Sequence, residues 1–348
     1  MDKEIGEIRM KLATYILQRL LLLIIVVWGV VTMVFVISRV LPGNPAEMLV
    51  ADWIQDVRVI REYEIKMGLD KPIYQQYFIY LGQILQGDLG IAWHTSQPVL
   101  RDFMVRLPAT VELALASMIF SLVISIPIGV YSATKRGGIV DQFGRFLSLI
   151  GVSVPSFFLA LLLVFIFFYY LHWAPAPLGR IGINIGPPQN ITGFYILDSI
   201  LTFNLPALIE SVRYMMLPML CMSTANMAVM TRMSRSSMLE VLRSDYITTA
   251  REKGLSEKDI TWKHAFRNAL MPISTLWGLE LGSLIGGSVL VETIFAWPGM
   301  GKYVTDSILF LDYAPVEGFV LLSALIYCVS NLIIDILYFM LDPRIRYD

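Results

Sequence analysis

The sequence predicts an all-α integral membrane protein with six transmembrane helices and both termini cytoplasmic. Three observations predict it. The chain has 348 residues, 56% hydrophobic and only 16% charged, where a soluble domain carries roughly 25% charged residues, and its mean hydropathy is +0.64. Six stretches are uncharged, or nearly so, over lengths that cross a bilayer, which takes about 20 helical residues. Most of the 27 lysines and arginines fall in alternate connections. That asymmetry sets orientation.

The elements follow in order. Residues 1–19 form a cytoplasmic arm with Lys3, Arg9, Lys11 and Arg19, and 20–40 form the first span, read as an uncleaved anchor. An outer segment covers 41–110, where Asp56 to Met67 reads as a short amphipathic helix. The second span covers 111–134, a short basic connection 135–145, and the third span 146–171. A Pro- and Gly-rich outer loop covers 172–212, the fourth span 213–232, and the one large cytoplasmic segment 233–270. The fifth span covers 271–293, an outer loop 294–316, the sixth span 317–341, and a cytoplasmic tail 342–348.

Several function classes are excluded at this stage. A net charge of −1 gives no basic field for nucleic acid. Cys221 and Cys328 sit in apolar runs and imply no disulfide framework. His94, His172 and His264 are too dispersed for metal-ligand spacing, and neither H-E-x-x-H nor G-x-S-x-G occurs. No metal site and no catalytic residue is expected. The one Gly-Lys pair, Gly301-Lys302, precedes Tyr303 and lacks the upstream glycine of a P-loop, so the chain carries no nucleotide site of that type.

The segment 233–270 is the informative one. Ser236 to Arg251 has a helical pattern that Gly254 stops. Ser256 reads as the N-cap of a second short helix, with Asp259 in the place of the capping acid. The result is a rigid, mixed-charge knob beneath the membrane. A solvated amphipathic hairpin on anionic lipid is the bland reading of the same residues.

Asp245-Tyr246-Ile247-Thr248-Thr249-Ala250-Arg251-Glu252-Lys253-Gly254-Leu255-Ser256 resembles the cytoplasmic coupling loop of the dipeptide/oligopeptide permease family of binding-protein-dependent ABC importers. The general importer pattern is Glu-Ala-Ala, three residues, then Gly; here Ala250 and Gly254 keep it, and Thr248 and Thr249 replace the rest. Six further blocks resemble the same family in the same order. They are Leu41-Pro42-Gly43-Asn44-Pro45, Gly87-Asp88-Leu89-Gly90, Leu107-Pro108-Ala109-Thr110, Gly151 through Phe157, Val291 through Gly299, and Leu341 through Arg346. The likeness is to the first of the paired permeases.

That resemblance implies a type I permease fold, and a heterodimer with a second homologous permease that forms the pore. It implies two ATP-binding subunits, which hold ATP and Mg, and an extracytoplasmic solute-binding protein, all in the inner membrane of a bacterium or archaeon. No cofactor is implied in this chain. The residues carried over to the coupling element are Asp245, Tyr246, Ala250, Glu252, Lys253, Gly254, Leu255 and Ser256, and Lys258 and Arg267 extend its charged surface. Glu252, Lys253, Glu257, Lys258 and Arg267 are expected to pair across the subunit interface. The family's substrates include peptides, glutathione, nickel complexes and oligosaccharides; peptides are favoured here.

Within the spans, Gly278, Gly282 and Gly286 recur at four-residue spacing, a face that admits close helix approach, for static packing or for a pore-side contact. Glu280 is an ionisable residue in the fifth span and is expected to face a cavity or partner. A proton-coupled secondary transporter working through Glu280 is the competing reading. Pro127 and Pro155 read as kinks, Glu292 as an exposed residue, Trp297 and its fellows as interface anchors, and the methionines of the fourth span as lipid-facing filler.

Overall fold

The computed structural model describes residues 2–40, 58, 61, 62, 65, 70–287 and 289–341. The 41–45 block, residues 342–348 and most of the expected 56–67 helix lie outside them; Arg58, Arg61, Glu62 and Ile65 of that helix are helical. The described residues are mostly helical, and the chain divides into two compact units, Met1–Leu107 with Gly299–Asp348, and Pro108–Pro298.

In the first unit, α1 (Asp2–Val40) packs on α2 (Ile73–Leu85) and on a long C-terminal helix, Tyr313–Leu341. Val31, Val34 and Leu321 form the buried seam, closed by Tyr80, Leu81, Ile84 and Leu89. Gly87 and Gly90 both adopt positive φ, and the Asp88 carboxylate accepts from the Gly90 N–H at 2.9 Å. This turn feeds a two-residue antiparallel hairpin, β1 (Ile91–Ala92) with β2 (Gln97–Pro98). Helix α3 (Val99–Thr134) starts here. Asp102 on its first turn accepts from the Thr95 hydroxyl (2.6 Å), the Tyr303 hydroxyl (2.9 Å) and Arg106 (2.7 Å). His94 bonds Asp312 through Nδ1 at 2.8 Å. A side chain at Gly318 would lie 2.7 Å from Val99, so the C-terminal helix lies hard against the start of α3.

The second unit is built around α7 (Leu205–Val241). Against it pack α4 (Ile139–Ser153), α5 (Ser156–Leu163), α6 (Tyr195–Leu201), α10 (Phe266–Gly287) and α11 (Val289–Ile294). Small residues permit this crowding. A Cβ on Gly151 would lie 2.6 Å from the Thr224 carbonyl, and one on Gly129 2.5 Å from Ser234 Cβ. Met215, Met222, Met227, Met230 and Met238 are all buried. Of the fourth span's methionines, expected as lipid-facing filler, Met215, Met222, Met227 and Met230 are interior packing, while Met216 is 45% exposed.

The third span differs from expectation. Its apolar run is not one rod: α4 ends at Ser153, Val154 turns extended, and Pro155 caps α5. The two axes meet at 108°, and α5 continues as a π-helical stretch, Val164–Tyr170. α4 also begins at Ile139, inside the connection expected at 135–145. Pro155 acts as a break rather than a kink, since it lacks the N–H that a continuous helix needs. Among the described residues, four helices are long and apolar enough to cross a membrane, or five if the bent pair counts as one span. The expected fifth span, 271–293, is helical as α10 and α11.

Two placements are corrected outright. Glu292 is fully buried rather than exposed, and Trp297 is 1% exposed and donates its indole N–H to the Ala109 carbonyl at 2.8 Å. Helix α11, which carries Glu292, packs against α5 and α7. The same contact joins two of the sequence blocks, Leu107–Thr110 and Val291–Gly299. Nearby, buried Arg180 pairs with Glu112, donates to the Gly193 carbonyl at 2.9 Å and lies 3.6 Å over the Tyr195 ring. Glu112 also accepts from the Ile196 N–H at 2.8 Å. Asp198 closes the adjoining turn. Burial pushes its pKa up, but hydrogen bonds from Thr192, Ile191 and Gly193 prevail and hold it below its ordinary range.

Candidate functional site

The segment from Asp245 to Arg267 folds as two short helices with a sharp corner. The first, α8 (Asp245–Glu252), leaves α7 through a turn at Leu242–Ser244. Ile247 and Ala250, three residues apart, share one face. Both are buried against Val130, Ala133, Met238, Ile260, Ala265 and Ala269. Asp245, Tyr246, Thr248, Thr249, Arg251 and Glu252 face outward. The amphipathic pattern therefore anchors the helix by two small apolar contacts and leaves a polar surface.

The corner is made by the backbone. Gly254 has φ +77°, its N–H bonds the Arg251 carbonyl (2.9 Å), and the Leu255 N–H bonds the Ala250 carbonyl (3.3 Å). This is the Schellman arrangement, with glycine at the left-handed position. Among the described residues, no neighbouring atom lies within 4 Å of where a Gly254 Cβ would stand. Glycine is required by the dihedral angle, not by crowding. Ser256 then caps α9 (Glu257–Asp259), its hydroxyl accepting from the Asp259 N–H at 3.1 Å and donating to the Asp259 carboxylate at 2.6 Å. In a full capping box the acid would reach the backbone N–H of the cap; here it takes the hydroxyl instead. A hydrogen bond from Lys263, with the Ser256 bond beside it, holds the Asp259 carboxyl below its ordinary range. A π-helical stretch, Ile260–Ala265, joins α9 to α10.

Two contacts stiffen the pair. Arg251 binds Glu257 at 2.9 Å across the corner, and Asn268 donates to the Tyr246 hydroxyl at 2.7 Å. Glu257, expected to reach a neighbouring subunit, is thus engaged within the chain. Glu252, Lys253, Lys258 and Arg267 are exposed. Among the described residues none of these four has an ion-pair partner. Leu255 stands beside them, 41% exposed. Charge on a fixed frame, with an apolar residue at its centre, suits a protein partner. Replacing Ile247 with aspartate puts a carboxylate into the apolar seat of α8. The expected outcome is rapid protease cleavage within 242–256 on membrane vesicles, with the rest of the chain intact.

The other singled-out residues lie on α10, in the same continuous stretch. Gly278 is buried, and Glu280 is half-buried and engaged within the chain. Gly286 is exposed, and among the described residues no neighbouring atom lies within 4 Å of the place a Cβ would take there. Gly282 lies within the helix. The glycine row thus runs from packed to open. The tightest glycine contacts fall at Gly129 and Gly151, one of them inside the 151–157 block.

Sequence reasoning missed a buried charge beside the pair. Asp141, on the first turn of α4, is 0% exposed and accepts from Arg235 at 2.7 Å, Arg145 at 2.8 Å and the Gly137 N–H at 3.0 Å. Its sequence signal is faint: an acid three residues after Gly137-Gly138 among basic neighbours counted only for orientation.

Comparison with known proteins places this geometry in context. Residues 125–347 match the family described as binding-protein-dependent transport system inner membrane component, and residues 12–114 match its N-terminal companion. The dipeptide transport system permease protein DppB of Alkalihalophilus pseudofirmus is 40% identical over 96% of this chain and 99% of its own length. The di/tripeptide transport system permease protein DppB of Pseudomonas aeruginosa is 41% identical over 96% and 99%. The oligopeptide transport system permease protein AppB of Bacillus subtilis is 40% identical over 97% and 100%. With its helix pair inside the matched region and its likeness running end to end, this multi-pass chain belongs to the dipeptide/oligopeptide permease family of binding-protein-dependent ABC importers.

Proposed function

We propose that this chain is one of two permease subunits of an ATP-driven importer of short peptides. It has six spans with both termini in the cytoplasm, pairs with a homologous permease, and receives peptide from an extracytoplasmic binding protein. Two ATPase subunits, which hold ATP and Mg, grip the 245–267 helix pair. Energy enters there: ATP binding biases one orientation of the pore and hydrolysis releases it. The observation that carries this reading is the corner at Gly254, locked by its own backbone and studded with Glu252, Lys253, Lys258 and Arg267. A lever needs a stiff seat, and a solvated hairpin on lipid has no use for one. The names of the relatives support peptide as the substrate.

The test is affinity purification of the tagged chain from its native membrane in mild detergent, then uptake of labelled dipeptide by the reconstituted complex. Co-purification of a second permease and P-loop ATPases, with ATP-dependent uptake, is the expected result. A chain that purifies alone and imports peptide without ATP overturns the reading. In the importer, Glu280→Gln is expected to leave uptake within about twofold of wild type, whereas a proton-coupled carrier would lose it.

A further inference from the structure

The clamp at Asp141 ties three helices together next to the helix pair. Asp141 on α4 takes Arg235 of α7 side-on, with Nε at 2.7 Å and Nη2 at 3.3 Å, and takes Arg145 at 2.8 and 3.3 Å. A two-pronged guanidinium contact fixes angle as well as distance. The Gly137 N–H adds the end of the connection from α3. Asp141 is thus saturated while wholly out of water.

Its surroundings are closely packed. A Cβ on Gly129 of α3 would stand 2.5 Å from Ser234 Cβ and 3.1 Å from the Arg235 backbone nitrogen. One on Gly144, a turn beyond Asp141, would stand 3.0 Å from the Ser132 hydroxyl of α3. At Gly129 α3 lies against the α7 backbone, and at Gly144 the side chains of Ser132, Ile128 and Thr231 fill the space, so the three helices are closely packed around the clamp. One turn along α7 from Arg235 is Met238, which with Val130 and Ala133 of α3 forms the floor under Ile247 and Ala250. Apolar residues of similar volume generally replace a buried ion pair at little cost in stability. Fixed geometry is what the pair adds.

We propose that Asp141 is a positioning residue for transport: through Arg235 it makes α3, α4 and α7 follow the helix pair as one body, so that ATP-driven motion reaches the spans. This rests on the importer reading above. Without the clamp, the ATPases still turn over but the stroke is lost between the helix pair and α4.

The test uses the assembled transporter in proteoliposomes with its binding protein, measuring labelled dialanine uptake and ATP hydrolysis on the same sample. Asp141→Asn is expected to assemble and hydrolyse ATP within about twofold of wild type, while uptake per ATP falls about tenfold. Arg235→Lys keeps the charge but loses the second prong, and its ratio is expected to fall by a smaller factor. If uptake and hydrolysis decline in proportion, or the ratio stays at the wild-type value, Asp141 is only structural and the proposal is overturned. Should Asp141→Asn fail to assemble, Arg235→Lys decides alone, and an unchanged ratio overturns it. Wild-type vesicles without ATP-dependent uptake would instead sink the importer reading, and this inference with it.

Discussion

Gly254→Val is expected to cost the cell most of its ATP-dependent peptide uptake while the protein still inserts in normal amount. The Gly254 φ of +77° lies in the left-handed region, where an L-residue pays about 1–2 kcal/mol and a β-branched one more. That penalty is too small to unfold a membrane protein of this size. It is large enough to depopulate one corner by a factor of roughly 5 to 30. Space is not the obstacle, because among the described residues no neighbouring atom lies within 4 Å of a Cβ there. Gly254→Asn therefore supplies the sharp control. Asparagine tolerates the left-handed conformation, so it is expected to transport near the wild-type rate although it is larger than alanine. Uptake assays on both variants, normalised to membrane content, check this. Equal loss in Val and Asn would show that bulk at the partner surface matters and the dihedral does not.

Arg180→Met is expected to be the most destabilising single substitution outside the helix pair. Both side chains of the Arg180–Glu112 pair are 6% exposed, and removing one partner strands the other out of water at about 3–5 kcal/mol. The Gly193 carbonyl and the Tyr195 ring lose their cation as well. Melting of the detergent-solubilised protein is expected to fall by roughly 10 °C. The double substitution Arg180→Met with Glu112→Leu should recover much of that loss, since no buried charge then remains unpaired. Arg213→Met is the surface control: that arginine is 55% exposed in its pair with Glu210, and exposed pairs contribute about 0–1 kcal/mol. A melting curve for Arg180→Met that matches the control would refute the argument.

What was legible in the sequence divides along physical lines. Features governed by local chemistry were readable: the stop at Gly254, the cap at Ser256 and the long apolar helices all depend on neighbours within a turn or two. Features governed by distant contacts were not. Asp141 and Arg235 stand 94 positions apart, and no local pattern announces that they meet. Glu292 and Trp297 looked peripheral because they follow an apolar run, yet α11 packs on α5 and α7 and the Trp297 indole reaches the Ala109 carbonyl, and both residues are buried. The break at Val154–Pro155 was hidden for a different reason. Apolar residues continue through it, so hydropathy sees one segment where the missing proline N–H makes two. The glycine row on α10 was conspicuous by spacing, while Gly129, whose Cβ would stand 2.5 Å from Ser234 of another helix, was single and unmarked.

The helix pair separates its shape from its address. Ala250 and Gly254, the two positions that keep the general importer pattern, serve the inside of the chain: one fills the apolar seat and the other supplies the positive φ. The positions that meet the outside, Glu252, Lys253, Leu255, Lys258 and Arg267, contribute nothing to the corner's hydrogen bonds through their side chains. Their identities are therefore open to exchange without loss of form. A library that scrambles these five alone, selected against a foreign ATPase, should yield permeases rewired to a new motor, each still folding around the same unaltered frame.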